Sequence, residues 1–273
     1  MTLTPLAPSA STTPRVALHM TVYNTHQYVA EAVGSILNQT YREFDLVLWD
    51  DGSTDESRAI LESLAKSDAR VRVLGGAHAG TAAAHAEAIA ASSGEYIGWV
   101  DSDDRLAPTA LTETIRVLDE HPDVGVVYTD QFDMDVSGTR SVLSPRARIP
   151  YSPERLLVDF MTFHFRLIRR SSYEAVGGID ATMQTASDYD LCLRLSERTR
   201  FMHVAQPLYY YRARPTSLSH ERRYEQIVAS ADAVRRAIQR RGLIDELELG
   251  VELNSRFILR RKRREVHPPK PVR

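Results

Sequence analysis

The sequence predicts an α/β fold in which a mostly parallel sheet is covered by helices. Two observations predict it. Short apolar, β-rich runs recur along residues 16–130 with helically spaced segments between them, the pattern of strands joined by crossover helices. Acidic groups close the second and fourth of those runs, where ligands bind in open parallel sheets. The length of 273 residues is enough to bury a substantial core.

Residues 1–14 are rich in Ser, Thr and Pro without periodicity and read as a flexible leader, with structure beginning near Arg15. Strands are expected at 16–22, 44–49, 71–74, 96–100 and 124–128. A helix near 27–38 places Tyr28, Ala32, Ser35 and Ile36 along one side, and 55–66 does the same with Ile60, Leu61 and Leu64 behind a capping Asp55. Residues 80–92 are alanine-rich. The segment 108–120 carries Pro108 in its first turn and stops before Pro122. Beyond residue 130 the alternation loosens. A polar connection over 136–153 precedes a strand at 163–168, Gly177-Gly178, a helix over about 188–198, β-like runs at 201–204 and 207–211, and amphipathic helices over 221–241 and 245–264. There is no internal repeat.

Composition narrows the class. With 43% hydrophobic and 26% charged residues the chain is ordinary for a soluble protein, and a net charge of −2 gives no general attraction to nucleic acid. One cysteine, Cys192, excludes an internal disulfide framework and a multi-cysteine zinc site, and fits a reducing compartment. No apolar run reaches the roughly 18 residues of a membrane span, and the start lacks secretory-signal character, so a cytoplasmic location is expected. Arg256, Arg260, Arg261, Lys262, Arg263 and Arg264 form a basic run. Two readings of it stand: peripheral contact with anionic headgroups at the inner face of a membrane, or a solvated helix end before a disordered tail.

Asp101, Asp103 and Asp104 are three carboxylates within four positions at the end of the fourth run. Crowded like charges repel unless a cation or strong donors stand among them. Asp50 and Asp51 end the second run, followed by the small residues Gly52-Ser53-Thr54 that let a ligand approach the backbone. A strand-end aspartate suits a ribose or base edge, and the Asp101/Asp103 pair suits a metal that neutralises a diphosphate. Together they describe a nucleoside diphosphate site. Each motif alone is also an ordinary turn or helix cap, and their joint placement at one sheet edge favours function.

The ordered strings 21–24 (Thr-Val-Tyr-Asn), 35–41 (Ser-Ile-Leu-Asn-Gln-Thr-Tyr), 50–55 (Asp-Asp-Gly-Ser-Thr-Asp), 94–97 (Gly-Glu-Tyr-Ile), 101–104 (Asp-Ser-Asp-Asp), 169–171 (Arg-Arg-Ser), 177–180 (Gly-Gly-Ile-Asp), 187–191 (Ser-Asp-Tyr-Asp-Leu) and 211–212 (Tyr-Arg) resemble family 2 glycosyltransferases of the GT-A fold. The resemblance covers residues 16–219. It implies a Rossmann-like GT-A domain over 15–220, with a nucleotide-binding half at 15–130 and an acceptor half at 131–220, followed by C-terminal helices and a basic tail at 221–273. It further implies an inverting transfer of one sugar from a UDP-, dTDP- or GDP-linked donor to a hydroxyl acceptor. Thr21, Tyr23 and Asp50 or Asp51 would contact base and ribose. Asp101, with Ser102, would approach the ribose or donor sugar, Asp103 would bind Mn²⁺ or Mg²⁺, and Asp188 would be the general base.

Against that role, Asp188 also reads as a helix N-terminal residue favoured by the dipole, as Asp190 does. The sequence departs from the family pattern in three places. Ser187 precedes the base where Glu is frequent, His85-Ala86 replace Arg-Asn, and Arg214 stands where many members carry His. A guanidinium cannot ligate a metal, so Arg212 and Arg214 are candidate diphosphate clamps or surface arginines. His220 is a candidate replacement ligand or a surface residue. His164 is either a satisfied core histidine or an acceptor-side residue; Tyr96, Trp99 and Cys192 read as core. Two other classes remain, a nucleotidyltransferase and a non-catalytic sugar-nucleotide binding module. The first lacks a Gly-rich loop with a following Arg or Lys near the first strand, and the second needs no base.

Overall fold

A computed structural model describes residues 14–214, 217 and 222–252 of the chain. Among them, nine strands form one sheet in the order β3-β2-β1-β4-β8-β6-β9-β5, with β7 paired to β6. The first half alternates as expected: β1 (Val16–Val22), α1 (Val29–Leu37), β2 (Phe44–Asp50), α2 (Ser57–Ser67), β3 (Val71–Gly75), α3 (Thr81–Ala90) and β4 (Tyr96–Trp99). β1 pairs in parallel with both β2 and β4, and β2 with β3. Every residue from Val16 to Met20 is fully buried, which is why this central strand reads as a continuous apolar run and not as an alternation.

The two faces of the sheet carry separate cores. Val16, Leu18, Met20 and Val22 join Leu46 and Leu48 of β2, Val33 and Ile36 of α1, and Leu111 and Leu118 of α4 (Ala110–Glu120). On the opposite face Ile97, Trp99 and Ile168 meet Ile89 of α3, Tyr173 of α5 (Arg170–Ala175), and Leu191 and Leu195 of α6 (Ser187–Ser196). Each fully buried Leu or Ile contributes about 1.5–3 kcal/mol relative to exposure. α7 (Arg223–Arg240) lies outside this layer, packing Ala233, Val234 and Ala237 against Cys192 and Leu193 of α6.

The second half departs from expectation in several places. The strand expected at 163–168 is β8 (Arg166–Arg169), and it runs antiparallel between β4 and β6 (Val124–Met134). β6 extends six residues past its expected end. The polar connection over 136–153 contains a short edge strand, β7 (Ser141–Leu143), and a 3₁₀ turn at Pro145–Arg148. The two β-like runs are one strand, β9 (Arg200–Arg212), which pairs in parallel with β6 and antiparallel with the two-residue β5 (Arg105–Leu106). Pro207 breaks the sequence pattern because it lacks an N–H, but a register shift between Thr129 and Asp130 absorbs it as a bulge. The expected helix over 245–264 fails in its described part, since 243–252 is turn and coil. Arg256 and the rest of the basic run, His220 and most of the leader lie outside the described residues.

Candidate active site

The parallel strands β1, β2 and β4 direct their carboxyl ends to one edge of the sheet. Because β8 is antiparallel to β4, with Gly98 opposite Leu167, its leading residues return to the same edge. That brings His164 beside Asp101, and Arg166 beside Asp188 in the first turn of α6.

Tyr23 and Thr21 stand at the end of β1, Thr21 partly buried and Tyr23 44% exposed. The Tyr23 ring stacks on His78 with centroids 4.0 Å apart, a residue the sequence reading did not single out. Asn24 ties this loop to the Asp50-Asp51 loop: its N–H donates to Ser53 Oγ at 3.1 Å, and its Oδ1 accepts from the Thr54 N–H at 2.8 Å. Asp51 is buried and accepts from the N–H groups of Ala79 and Gly80 at 2.9 and 3.0 Å, with His78 Nδ1 2.8 Å from its carboxylate. Its side chain therefore anchors the start of α3. Asp50 accepts the Ser53 N–H at 3.2 Å and lies 3.7 Å from Arg58. Gly52 lies between these walls at φ +75°, and a Cβ there would come within 2.8 Å of the His78 nitrogen. Asp55, expected to cap α2, accepts the Ser57 N–H at 2.9 Å from one position ahead of the helix's N-cap residue, Glu56.

Asp101, Asp103 and Asp188 form the charged centre. The Asp188 carboxylate is 3.2 Å from Nη2 of Arg166, a guanidinium 1% exposed that lies over the rings of Trp99 and Phe160 and donates to the Thr162 carbonyl at 2.8 Å. Asp103 accepts from Arg214 Nε at 2.5 Å. Among the described residues, Asp101 has no guanidinium within ion-pair distance; its neighbour is His164 Nε2, at 3.4 Å. Burial first, then the Asp103 and Asp188 charges, push the Asp101 carboxyl up to about 7. Burial and then the Arg166 charge hold His164 well below its ordinary range, so it faces Asp101 as a neutral imidazole. His164 is 5% exposed and stacked on Tyr209, beside the acidic centre, but it is not a satisfied core histidine, because its Nδ1 is buried without a hydrogen-bond partner among the described residues. His85 and His19, packed around Trp99 beneath it, are likewise kept neutral by burial.

Several expected ligand contacts point elsewhere. Ser102 is buried, accepting a hydrogen bond from Thr25 Oγ1 at 3.1 Å. Arg212, expected as a diphosphate clamp, is 2% exposed and donates to the Asp103 carbonyl, the Val136 carbonyl and Glu31 at 2.6–2.8 Å, which makes it a fastener of the loop. Asp104 is equally structural: it accepts from the Tyr209 hydroxyl at 2.8 Å and from the Arg212 N–H at 2.7 Å, and Tyr209 Oη in turn accepts the Asp101 N–H at 3.1 Å. Asp190 is taken by Arg194 and Arg236. Cys192 is buried. Arg166 is a residue that sequence reasoning missed, and its signal is a lone charge in an otherwise apolar run, since such a charge is buried only when paired.

The donor set suits a hard divalent cation in part. Among the described residues no three His, Cys, Asp or Glu side chains are grouped as a cage. Magnesium and manganese take carboxylate oxygen together with substrate phosphate and water, and Asp103 with Asp101 offers that chemistry in a region of concentrated negative charge.

The family described as Glycosyl transferase family 2 matches residues 18–177. The O-antigen biosynthesis protein RfbC of Myxococcus xanthus is 34% identical over 204 residues, covering 73% of this chain and 16% of that protein. A chondroitin synthase of Escherichia coli is 32% identical over 197 residues, covering 72% and 28%. The chain thus spans little more than a quarter of these relatives' length at most. In fold it resembles S. aureus TarS 1-349 solved with UDP-GlcNAc, at TM-score 0.64 and 20% identity over 80% of this chain and 66% of that one. It also resembles a mannosyltransferase from Pyrobaculum calidifontis solved with GDP-Man and Mn²⁺, at 0.65 and 19% over 86% and 67%. With the family match spanning more than half its residues, and with a GT-A-like sheet whose strand ends gather the family's acidic motifs, the chain belongs to glycosyl transferase family 2.

Proposed function

We propose that the chain transfers one sugar from a nucleoside diphosphate sugar to a hydroxyl acceptor, with inversion at the anomeric carbon and with Asp188 as general base. One observation carries this reading: Asp188, from α6, stands with a buried guanidinium behind it, in the same charged centre as Asp101 and Asp103 at the end of β4. A carboxylate facing the acceptor removes the hydroxyl proton as the oxygen attacks C1, while the bond from C1 to the diphosphate oxygen breaks and its electron pair leaves with the diphosphate. Arg166 orients that carboxylate. Tyr23, Thr21, Asp50 and Asp51 frame the base and ribose, and Asp101 faces the ribose or donor sugar. Asp103 would hold Mn²⁺ or Mg²⁺, which when bound would neutralise charge on the departing diphosphate.

The donor class is supported by the UDP-GlcNAc and GDP-Man in the structural neighbours. UDP, dTDP or GDP is expected to raise the melting temperature more with Mn²⁺ than with chelator, and the matching sugar donor to be hydrolysed or transferred. No metal-dependent shift from any of the three would reject the donor assignment.

A further inference from the structure

The contrast between Arg212 and Arg214 carries a second conclusion. Both guanidinium groups lie over the Tyr28 ring, at 4.9 and 5.2 Å from its centroid. Arg212 spends its donors on two carbonyls and Glu31 and is fixed. Among the described residues, the side-chain hydrogen bond of Arg214 is the one to Asp103, Nε to Oδ2 at 2.5 Å, between groups 18% and 15% exposed. The cation on the carboxylate that would hold the metal is therefore one the chain supplies itself, and its Nη donors are uncommitted among the described residues.

We propose that Arg214 is the resident counter-ion of Asp103, holding it in the donor-free protein and yielding it to the metal when a diphosphate arrives. This rests on the reading of Asp103 as metal ligand. A guanidinium has no lone pair for a metal and is repelled by it, so ion and Arg214 exclude one another at the same oxygen. A diphosphate offers the displaced guanidinium a better partner, because its oxygens accept the two parallel N–H bonds of an arginine fork. Metal and diphosphate then bind with positive coupling, each removing the obstacle to the other. Two of the three crowded carboxylates thus carry a guanidinium of the chain's own, Asp188 that of Arg166 and Asp103 that of Arg214, while Asp101 faces His164.

The test is Mn²⁺ binding to the donor-free protein, read by the resonance of free Mn²⁺ or by calorimetry and independent of turnover. Arg214→Gln is expected to bind Mn²⁺ alone roughly tenfold more tightly than the unaltered protein, with Arg214→Lys in between. In saturating Mn²⁺, inorganic pyrophosphate should bind Arg214→Gln more weakly. Asp103→Asn should lose Mn²⁺ affinity with either residue at 214. Equal or weaker Mn²⁺ binding by both Arg214 variants, with Asp103→Asn still impaired, overturns the counter-ion role and leaves the metal assignment standing. Mn²⁺ binding indifferent to Asp103→Asn overturns the metal assignment and this proposal together.

Discussion

Asp188 is as much a product of Arg166 as of its own position. A buried arginine beside a carboxylate fixes one rotamer of it, and outer-shell partners of that kind at metal sites are commonly worth about 10- to 100-fold in affinity or activity. Arg166→Gln is therefore expected to lower kcat by about 10- to 100-fold while donor affinity changes less than about threefold, and Arg166→Lys to recover part of the loss. Equal loss of donor affinity in both variants, measured by calorimetry, would instead point to general disorder of the site. At this scale, chemistry was more legible than orientation. Asp101 and Asp103 stood out by crowding after a strand, whereas Asp188 stood out through the resemblance to family 2 glycosyltransferases. Arg212 and Arg214 were indistinguishable as letters. β9 ends at Arg212, which turns inward, and the chain beyond it leaves the sheet, so residue 214 does not follow the strand's alternation.

The elements place these side chains through backbone geometry that a single residue can spoil. Gly52 at φ +75° lets the Asp50-Asp51 loop pack on the segment 76–80, and Gly52→Ala adds both left-handed strain and a 2.8 Å approach to the His78 nitrogen. A loss of at least about 1–2 kcal/mol in denaturant unfolding is expected, together with weaker binding of the nucleoside diphosphate. An unchanged unfolding midpoint would mean the loop relaxes freely. The parallel strands β1, β2 and β4 were readable to within a residue or two because burial leaves them mostly apolar runs, and the edge strand β3, with Arg72 exposed, because Val71, Val73 and Leu74 mark it. The later strands were less so: β6 and β9 carry Asp130, Asp133, Gln206 and Pro207, and they hold together through bulged pairing across the sheet, which local pattern does not encode. The segment 243–252 has helix-forming letters, but it follows Gly242 at φ +70° and runs as turn and coil.

For the whole molecule, buried histidines set the response to acid. His19, His85 and His164 are held below the ordinary value of 6.5, His85 to about 3, so below pH 6.5 the unfolded chain binds protons that the native one does not, and stability falls with pH. Asp101, raised to about 7, and Asp104, raised by burial, act oppositely: above the ordinary carboxylate range the native protein holds protons the unfolded chain has released. Three buried histidines stand against two carboxylates, and solvent at the partly exposed Asp101 side chain trims the opposing share. The melting temperature should drop from pH 7 to pH 5; a rise would show the carboxylates dominating. No helix among the described residues is long and apolar enough to cross a membrane. The central claim, that Asp188 is the base of a glycosyl transfer, is met most directly by Asp188→Asn, assayed for donor affinity by calorimetry and for turnover with the same donor. Unchanged affinity with kcat reduced by about a thousandfold is the predicted result, and turnover close to that of the unaltered protein would contradict it.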